Sequence, residues 1–387
     1  MAVLATIHTN FLSSSINRRK LPYRLSFRSP RYSIPSTSLP ARRHVSCGSG
    51  TGDGVARRSA NFPPNFFDYN FVQCLSTDYT EEKYKAQVKM LKEDVKGMFG
   101  EAMDHVAKLE FINAVQGLGL QYHFDAEIKQ ALELVHGGSE DAWALLDDLH
   151  AAALQFRLLR QHGYVVSQDV FKRFMNETGG FKASLREDTK GLLSLYEASF
   201  HGFEDEAIID KAKAFSYKYL KEINVEGTAA NLCEKVSRAL DMPIHWRPNR
   251  LEARWFIKMY EEEPDVNPTL LRLAKLDFNY LQSIYKKEFS KMARWWVELG
   301  LYELNVFRDR MTECYIWSVI MAFEPEFGPF REMMTIVNCF ITLMDDIYDV
   351  FGTLEELELL TDIIDRFECC LSDLVVDYYV SQEPHVD

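Results

Sequence analysis

The sequence predicts an all-α protein of two helical domains, and three observations carry that prediction. Apolar residues recur at the helical period: Tyr84, Val88, Leu91 and Val95 fall at i, i+4, i+7 and i+11, which is one face of a helix. Helix breakers stand between such stretches, at Gly117 and Gly119, Gly137-Gly138, Gly163, Gly179-Gly180, Gly227, Pro243, Pro248, Pro264 and Pro268. Neither sustained strand alternation nor alternation of strands with helices is found, so many short antiparallel helices are expected.

In chain order, residues 1–56 are set aside first. They hold eight Arg and Lys against one acid, Asp53, and are rich in Ser and Pro. That is the composition of an organelle transit peptide, without the continuous apolar stretch of a secretory signal. A plastid is the expected destination, with the mitochondrion as the alternative. A first helical domain is placed at 57–262. Within it Ala151 to Arg160, rich in Ala, Leu and Arg, predicts a helix. Tyr164-Val165-Val166 is the single strand-like run, and Ser167-Gln168-Asp169 behind it is a helix N-cap context. The acidic stretch from Glu261 to Pro268, with two prolines, ends this domain. A second domain is placed at 269–387.

Composition narrows the function. Apolar residues at 47% and charged residues at 26% are ordinary for a globular chain. No apolar run approaches the roughly 18 residues of a membrane span, so none is expected. The seven cysteines show no metal-ligand spacing and read as reduced thiols. The leader carries +7, which leaves the body at −20 against a total of −13. So acidic a body argues against nucleic-acid binding. An anionic substrate would need metal ions or a few placed arginines.

The second domain supplies both. From Phe340 to Phe351 an apolar helix carries Asp345, Asp346 and Asp349. Asp345 and Asp349 share a face, and burying unpaired carboxylates costs several kcal/mol, on the order of their lost hydration. Converging acids on such a helix call for a cation, and an all-oxygen set suits Mg²⁺, with Mn²⁺ as the alternative. A solvated acidic helix end is the other reading. Upstream, Arg308-Asp309-Arg310 opens a helix that becomes apolar, and Arg310, Glu313 and Trp317 fall on one face. Guanidinium forks suit diphosphate oxygens, and the π-face of Trp317 suits a carbocation. A surface ion-pair cluster over a core Trp is the bland reading of the same residues.

Several longer strings settle which reading to prefer. Arg57-Arg58-Ser59-Ala60-Asn61-Phe62-Pro63-Pro64, Phe156-Arg157-Leu158-Leu159-Arg160-Gln161-His162-Gly163-Tyr164, Leu193-Ser194-Leu195-Tyr196-Glu197-Ala198-Ser199 and Asp345-Asp346-Ile347-Tyr348-Asp349 stand in order along the chain. In these the chain resembles plant terpene synthases, most closely the angiosperm monoterpene synthase branch with its plastid leader. The resemblance implies a helical, α-barrel-like N-terminal domain without catalytic residues. It also implies a C-terminal domain of the class I isoprenoid synthase helical barrel type, here partial. Asp345 and Asp349, helped by Asp346, are expected to bind Mg²⁺. Arg308 and Arg310 are expected to hold the diphosphate, and Arg57 and Arg58 to cap the site and serve cyclisation. Trp317 is expected to face the cation. The implied reaction ionises a prenyl diphosphate, geranyl diphosphate first, to a monoterpene. Alternatives are a sesquiterpene synthase using farnesyl diphosphate, or a non-catalytic truncated relative that only binds or associates.

Two departures from the family pattern bear on this. Phe67 stands where the family's tandem-arginine motif usually ends in Trp, so the aromatic anchor lacks an indole donor. The chain also ends 38 residues after Asp349, short of the family's second metal motif, and from Glu368 the sequence leaves the family pattern. A splice form, a frameshifted allele or a mispredicted gene model would each give such a tail. The expectations are an exposed apolar half-barrel prone to association and little or no synthase activity.

Overall fold

The computed structural model describes residues 60–62, 67–75, 81–101, 104–137, 147–223, 227–304 and 306–366. The leader, Arg57, Arg58 and the tail from Glu368 lie outside the described residues. Among those described, the structure is helical. Its helices are α1 (Tyr69–Gln73), α2 (Glu81–Phe99), α3 (His105–Gly117), α4 (Asp125–His136), α5 (Leu149–Gln161), α6 (Thr189–Ser199), α7 (Ala207–Lys221), α8 (Ala230–Asp241), α9 (Asn249–Glu261), α10 (Pro268–Leu299), α11 (Met311–Met321) and α12 (Gly328–Asp346), followed by α13 (354–366). The only β-type pairing described is an isolated bridge between Met175 and Phe181. No described helix is long and apolar enough to cross a membrane.

The helical period works as read. Tyr84, Leu91 and Val95 of α2 are buried, and α5 is buried along its length from Leu149 to Arg160. The strand-like run forms no strand, and Val165 is 83% exposed. Ser167 does act as a cap, accepting from the Asp169 N–H at 3.2 Å, but the turn it starts, Gln168–Phe174, is 3₁₀ rather than α. Short 3₁₀ runs of this kind serve as connectors.

One large core joins α2 to α7 with Ile257 and Tyr260 of α9 and Leu270, Leu273 and Ala274 of α10. A second joins Leu281, Tyr285, Phe289, Met292 and Trp296 of α10 to Met311, Cys314, Tyr315 and Val319 of α11 and Cys339 of α12. The 32-residue α10 therefore serves both cores. Asn267 caps its start, accepting from the Thr269 and Leu270 N–H groups at 3.0 Å, with Pro268 in the first turn. Gly300, at φ 71°, ends it in the left-handed region that glycine enters without steric cost. Asp277, 2% exposed, sits where the cores meet. It accepts from Tyr122 Oη–H, lies 2.9 Å from His123 Nε2 and takes Arg250 Nη1 at 3.4 Å.

Arg331 fixes α12 against this frame. It has no exposed surface, forks onto Glu288 of α10 at 2.7 and 2.9 Å, and donates to the Ala322 and Glu324 carbonyls at 2.8 and 2.6 Å. The far side of α12 is apolar and uncovered: Phe330, Met333, Val337, Phe340 and Ile341 are exposed, as are Ile316 and Trp317 of α11. Their spacing is that of a helix face made to be packed, and it is the exposed apolar surface the sequence leads one to expect.

The turn after α6 holds an acid-sensitive group. Burial pushes the His201 imidazole down to about 4, with the charges of Arg157, His245 and Arg160 adding to it. Between the unfolded value near 6.5 and about 4, the unfolded chain binds the proton more readily. Stability therefore falls as pH drops through that window and is fully present above it. Urea denaturation at pH 7 and pH 4.5 should differ by about 1–2 kcal/mol from this ring alone, allowing for its partial exposure. His201→Phe should flatten that part of the profile; an unchanged profile would remove His201 as the cause.

Candidate metal and diphosphate site

The site is built where the loop before α11 meets the end of α12. Asp309 organises the loop: its Oδ1 accepts from Trp296 Nε1 at 3.0 Å and lies 3.5 Å from the Met311 N–H at the start of α11. A short carboxylate at a helix start satisfies orphan donors and suits the helix dipole. This places Arg308 and Arg310 on either side of a tethered residue.

Arg308 turns toward α12. Its backbone N–H and Nε donate to Asp346 Oδ2 at 2.7 and 2.9 Å, and its Nη2 lies 2.7 Å from Oδ1. Asp346 is 2% exposed. A buried carboxylate with three charge-assisted donors is fully occupied. Asp346, expected beside the metal ligands, instead ties the arginine loop to α12. Phe62 lies over the same guanidinium, 4.1 Å from ring centroid to Cζ. The segment after Arg57-Arg58 therefore reaches the site through a cation–π contact. Phe67, further on, stacks on Phe71 with centroids 5.1 Å apart.

Arg310 bonds the Asp309 carbonyl at 2.9 Å and pairs with Glu313 at 3.5 Å, so the shared face of Arg310 and Glu313 is real. Trp317, one turn on, is 56% exposed and stands on the uncovered face of α11. Arg308 and Arg310 line one narrow recess with Trp296, Met311, Cys314, Cys339 and Thr342.

The other two acids face outward. Asp345 and Asp349 are exposed. Neither has a hydrogen bond or ion pair among the described residues. α12 ends at Asp346, and Ile347–Phe351 form one wider π-helical turn closed by the Gly352 N–H on the Ile347 carbonyl at 2.8 Å. Such turns favour functional positions, and this one keeps Asp345 and Asp349 on a common side. Tyr348 Oη is 2.8 Å from Thr361 Oγ1, and Thr353 and Glu356 form a capping box for α13, so the turn is braced from both ends.

Two unpaired, solvent-facing carboxylates one turn apart are a hard-oxygen donor pair that fits Mg²⁺ or Mn²⁺, which keep several waters and take phosphate oxygens. Among the described residues no three His, Cys, Asp or Glu side chains gather into a metal site. A cation on Asp345 and Asp349 would therefore complete its shell with water and phosphate oxygens. Sequence reading did not find Asp309, Phe62 or the thiols of the recess. Nothing in the sequence around Trp296 signals its bond to Asp309.

The chain is similar to known proteins over most of its length. Residues 66–240 match the family model "Terpene synthase, N-terminal domain" and residues 297–379 match "Terpene synthase family, metal binding domain". The chain is 46% identical over 327 residues to (+)-alpha-terpineol synthase of Santalum album, covering 84% of this chain and 57% of that one. It is 46% identical over 333 residues to the chloroplastic myrcene synthase of Quercus ilex, covering 85% and 55%. It is also similar to isoprene synthase of grey poplar leaves, solved with three Mg²⁺ ions and dimethylallyl-S-thiolodiphosphate. That likeness has a TM-score of 0.70 at 43% identity and covers 78% of this chain and 56% of that one. The chain thus spans little more than half the length of these relatives.

Proposed function

The chain belongs to the terpene synthase family, and from that premise we propose that it carries the metal and diphosphate site of a monoterpene-type synthase acting on geranyl diphosphate. The observation that carries this reading is the pair of outward carboxylates, Asp345 and Asp349, which have no partner among the described residues and flank Asp346 of the Arg308–Asp346 ion pair. Asp345 and Asp349 hold the cation, and Arg308 and Arg310 hold the diphosphate. Mg²⁺ bound there supplies neutralisation of the charge that develops on the leaving diphosphate. The arginines add fixed positive charge at the same anion and keep it in place after the allylic C–O bond breaks. No protein nucleophile and no catalytic histidine is required. Asp346 acts by aiming Arg308. Arg57 and Arg58 are proposed to fold over the site, and the Phe62–Arg308 contact supports that placement. The first domain is proposed at 57–262 and the second at 269–387. Plastid import is proposed from the basic, Ser-rich leader, with the chloroplastic relative in support.

The described residues do not enclose a dry cavity. Trp317, the aromatic meant for the cation, is more than half exposed. A cation formed beside water is captured or lost, so binding without efficient cyclisation is the expected behaviour. Titrating the full chain with Mn²⁺ by electron paramagnetic resonance should show binding that needs inorganic pyrophosphate. Incubation with geranyl diphosphate and Mg²⁺ should give little hydrocarbon by gas chromatography. Mn²⁺ binding indifferent to pyrophosphate would sink the site, and abundant hydrocarbon product would sink the open-cavity reading. The uncovered apolar faces of α11 and α12 favour a second reading, a relative that acts by association, and sedimentation would report it as concentration-dependent self- or hetero-assembly. Farnesyl diphosphate is the alternative substrate in the same assay.

A further inference from the structure

Helix α7, in the first domain, carries a charge opposite to that of the body. It holds four lysines, Lys211, Lys213, Lys218 and Lys221, against one acid, Asp210. Lys213, Tyr217 and Lys221 follow one another at every fourth residue, so they form one stripe of the helix, and all three are exposed. Lys213, Lys218 and Lys221 have no acid partner among the described residues; each lies over an aromatic ring instead. The Nζ-to-centroid distances are 4.2 Å from Lys213 to Phe200, 5.1 Å from Lys218 to Tyr219 and 4.4 Å from Lys221 to Tyr217. The rings join in turn. Tyr217 lies 6.1 Å from Tyr196, Tyr196 5.0 Å from Phe200, and Phe200 5.8 Å from Trp246. Trp246, in the 3₁₀ turn between α8 and α9, is 63% exposed. We propose that this aromatic and basic face docks the protein on the surface of an anionic lipid bilayer.

The base of the patch is fixed. Tyr196 is buried in a third, smaller core with Leu192, Leu193, Leu220 and Val236, and Phe200 packs against it. Trp246 and Tyr217 project from that base with an apolar body and a polar tip, the pairing that places such rings at membrane–water interfaces. Neither the Trp246 indole N–H nor the Tyr217 hydroxyl has a hydrogen-bond partner among the described residues, so both are free for headgroup oxygens. The lysines beside them meet anionic headgroups, and each is worth about fivefold in partitioning close to such a surface. On an otherwise acidic body this attraction is local, so it also orients the molecule with α7 toward the lipid. A long single-stranded nucleic acid would meet the same lysines but be repelled by the rest of the body; a bilayer meets only the side turned to it. Docking is superficial, since no described helix is long and apolar enough to cross a membrane. None of these residues belongs to the metal and diphosphate site, so the inference stands whether or not Asp345 and Asp349 hold a metal.

Sedimentation of the full chain with lipid vesicles tests it. Vesicles of phosphatidylcholine mixed with phosphatidylglycerol should carry the protein down at low salt and release it as salt is raised, because screening shortens the reach of the lysines. Vesicles of phosphatidylcholine alone should carry down little. Lys213→Gln combined with Lys221→Gln should weaken binding to the mixed vesicles by about 10-fold or more, and Trp246→Ser should weaken it further. The three side chains are exposed, so unfolding and pyrophosphate-dependent Mn²⁺ binding of these variants should match the parent, which separates loss of docking from loss of fold or site. The basic leader is common to parent and variants, so their difference reads α7 and Trp246 alone. A parent that stays in solution with the mixed vesicles, or a double lysine variant that binds them as well as the parent, would overturn the proposal. So would lysine-dependent binding of a labelled single-stranded oligonucleotide by a parent that ignores vesicles.

Discussion

Arg331→Met should lower the stability of the second core by about 3–5 kcal/mol. The side chain is fully buried and holds Glu288 through two hydrogen bonds while satisfying two carbonyls in the turn after α11. Methionine fills much of the volume, so the loss is electrostatic rather than a cavity. It strands the Glu288 carboxylate, whose side chain is 11% exposed, and leaves the Ala322 and Glu324 carbonyls without this donor. Tyr315 Oη, 2.9 Å from Glu288 Oε2, keeps one partner in place and cannot neutralise the charge. Removing both ends should cost less than removing one, because the buried charge leaves with its partner. Glu288→Leu combined with Arg331→Met should recover at least half of the loss, a coupling that a double-mutant cycle measures directly. Urea unfolding monitored by tryptophan fluorescence reads the core, since Trp295 and Trp296 pack in or against it. A single-variant loss below about 1 kcal/mol would show that water, rather than Glu288, carries most of that guanidinium's solvation.

The same arginine shows why part of this fold was hidden in the sequence. Helices were legible because burial imposes a period of 3.6 on apolar positions, and α2 and α5 obey it. An arginine gives no such signal. Arg is mostly exposed in proteins, and Arg331 is buried only because Glu288, 43 residues earlier, meets it across α10 and α12. Ser167 was legible as a cap, but nothing local says whether the next turn is 3₁₀ or α. The acids were half legible. Asp345 and Asp349 share a face in either an α or a π turn, so the wider turn at Ile347–Phe351 escaped notice without harm to the pairing. Asp346, one residue on, lies about 100° around the helix. That rotation separates it from the pair, but only the loop carrying Arg308 decides that its side is the buried one. The recess shows the same limit: Cys314 and Cys339 have no metal or redox spacing in the chain, and both come to line it only through the packing of α11 against α12.

The three acids should therefore respond differently to the same substitution. Asp345→Asn and Asp349→Asn should each weaken pyrophosphate-dependent Mn²⁺ binding by about 100-fold or more, the loss seen at the strong end for residues that merely support a ligand. Both side chains are exposed and have no bonds among the described residues, so unfolding free energies should stay within about 0.5 kcal/mol of the parent. Relief of repulsion between the two carboxylates would offset part of that. Asp346→Asn should invert the pattern. It keeps an oxygen to accept from the Arg308 N–H but loses the charge facing the guanidinium, at a position 2% exposed. Because Arg308 is itself 30% exposed and water screens part of the change, the expected destabilisation is about 1–3 kcal/mol. Its effect on metal affinity should stay under about 10-fold, arriving indirectly through a misaimed Arg308. A Phe62→Ala change, which uncovers the same guanidinium without touching Asp346, separates loss of aim from loss of charge. If Asp346→Asn abolished metal binding as completely as Asp349→Asn, with no loss of stability, the inward carboxylate would be a ligand. The Arg308–Asp346 pair would then have to open whenever the cation binds.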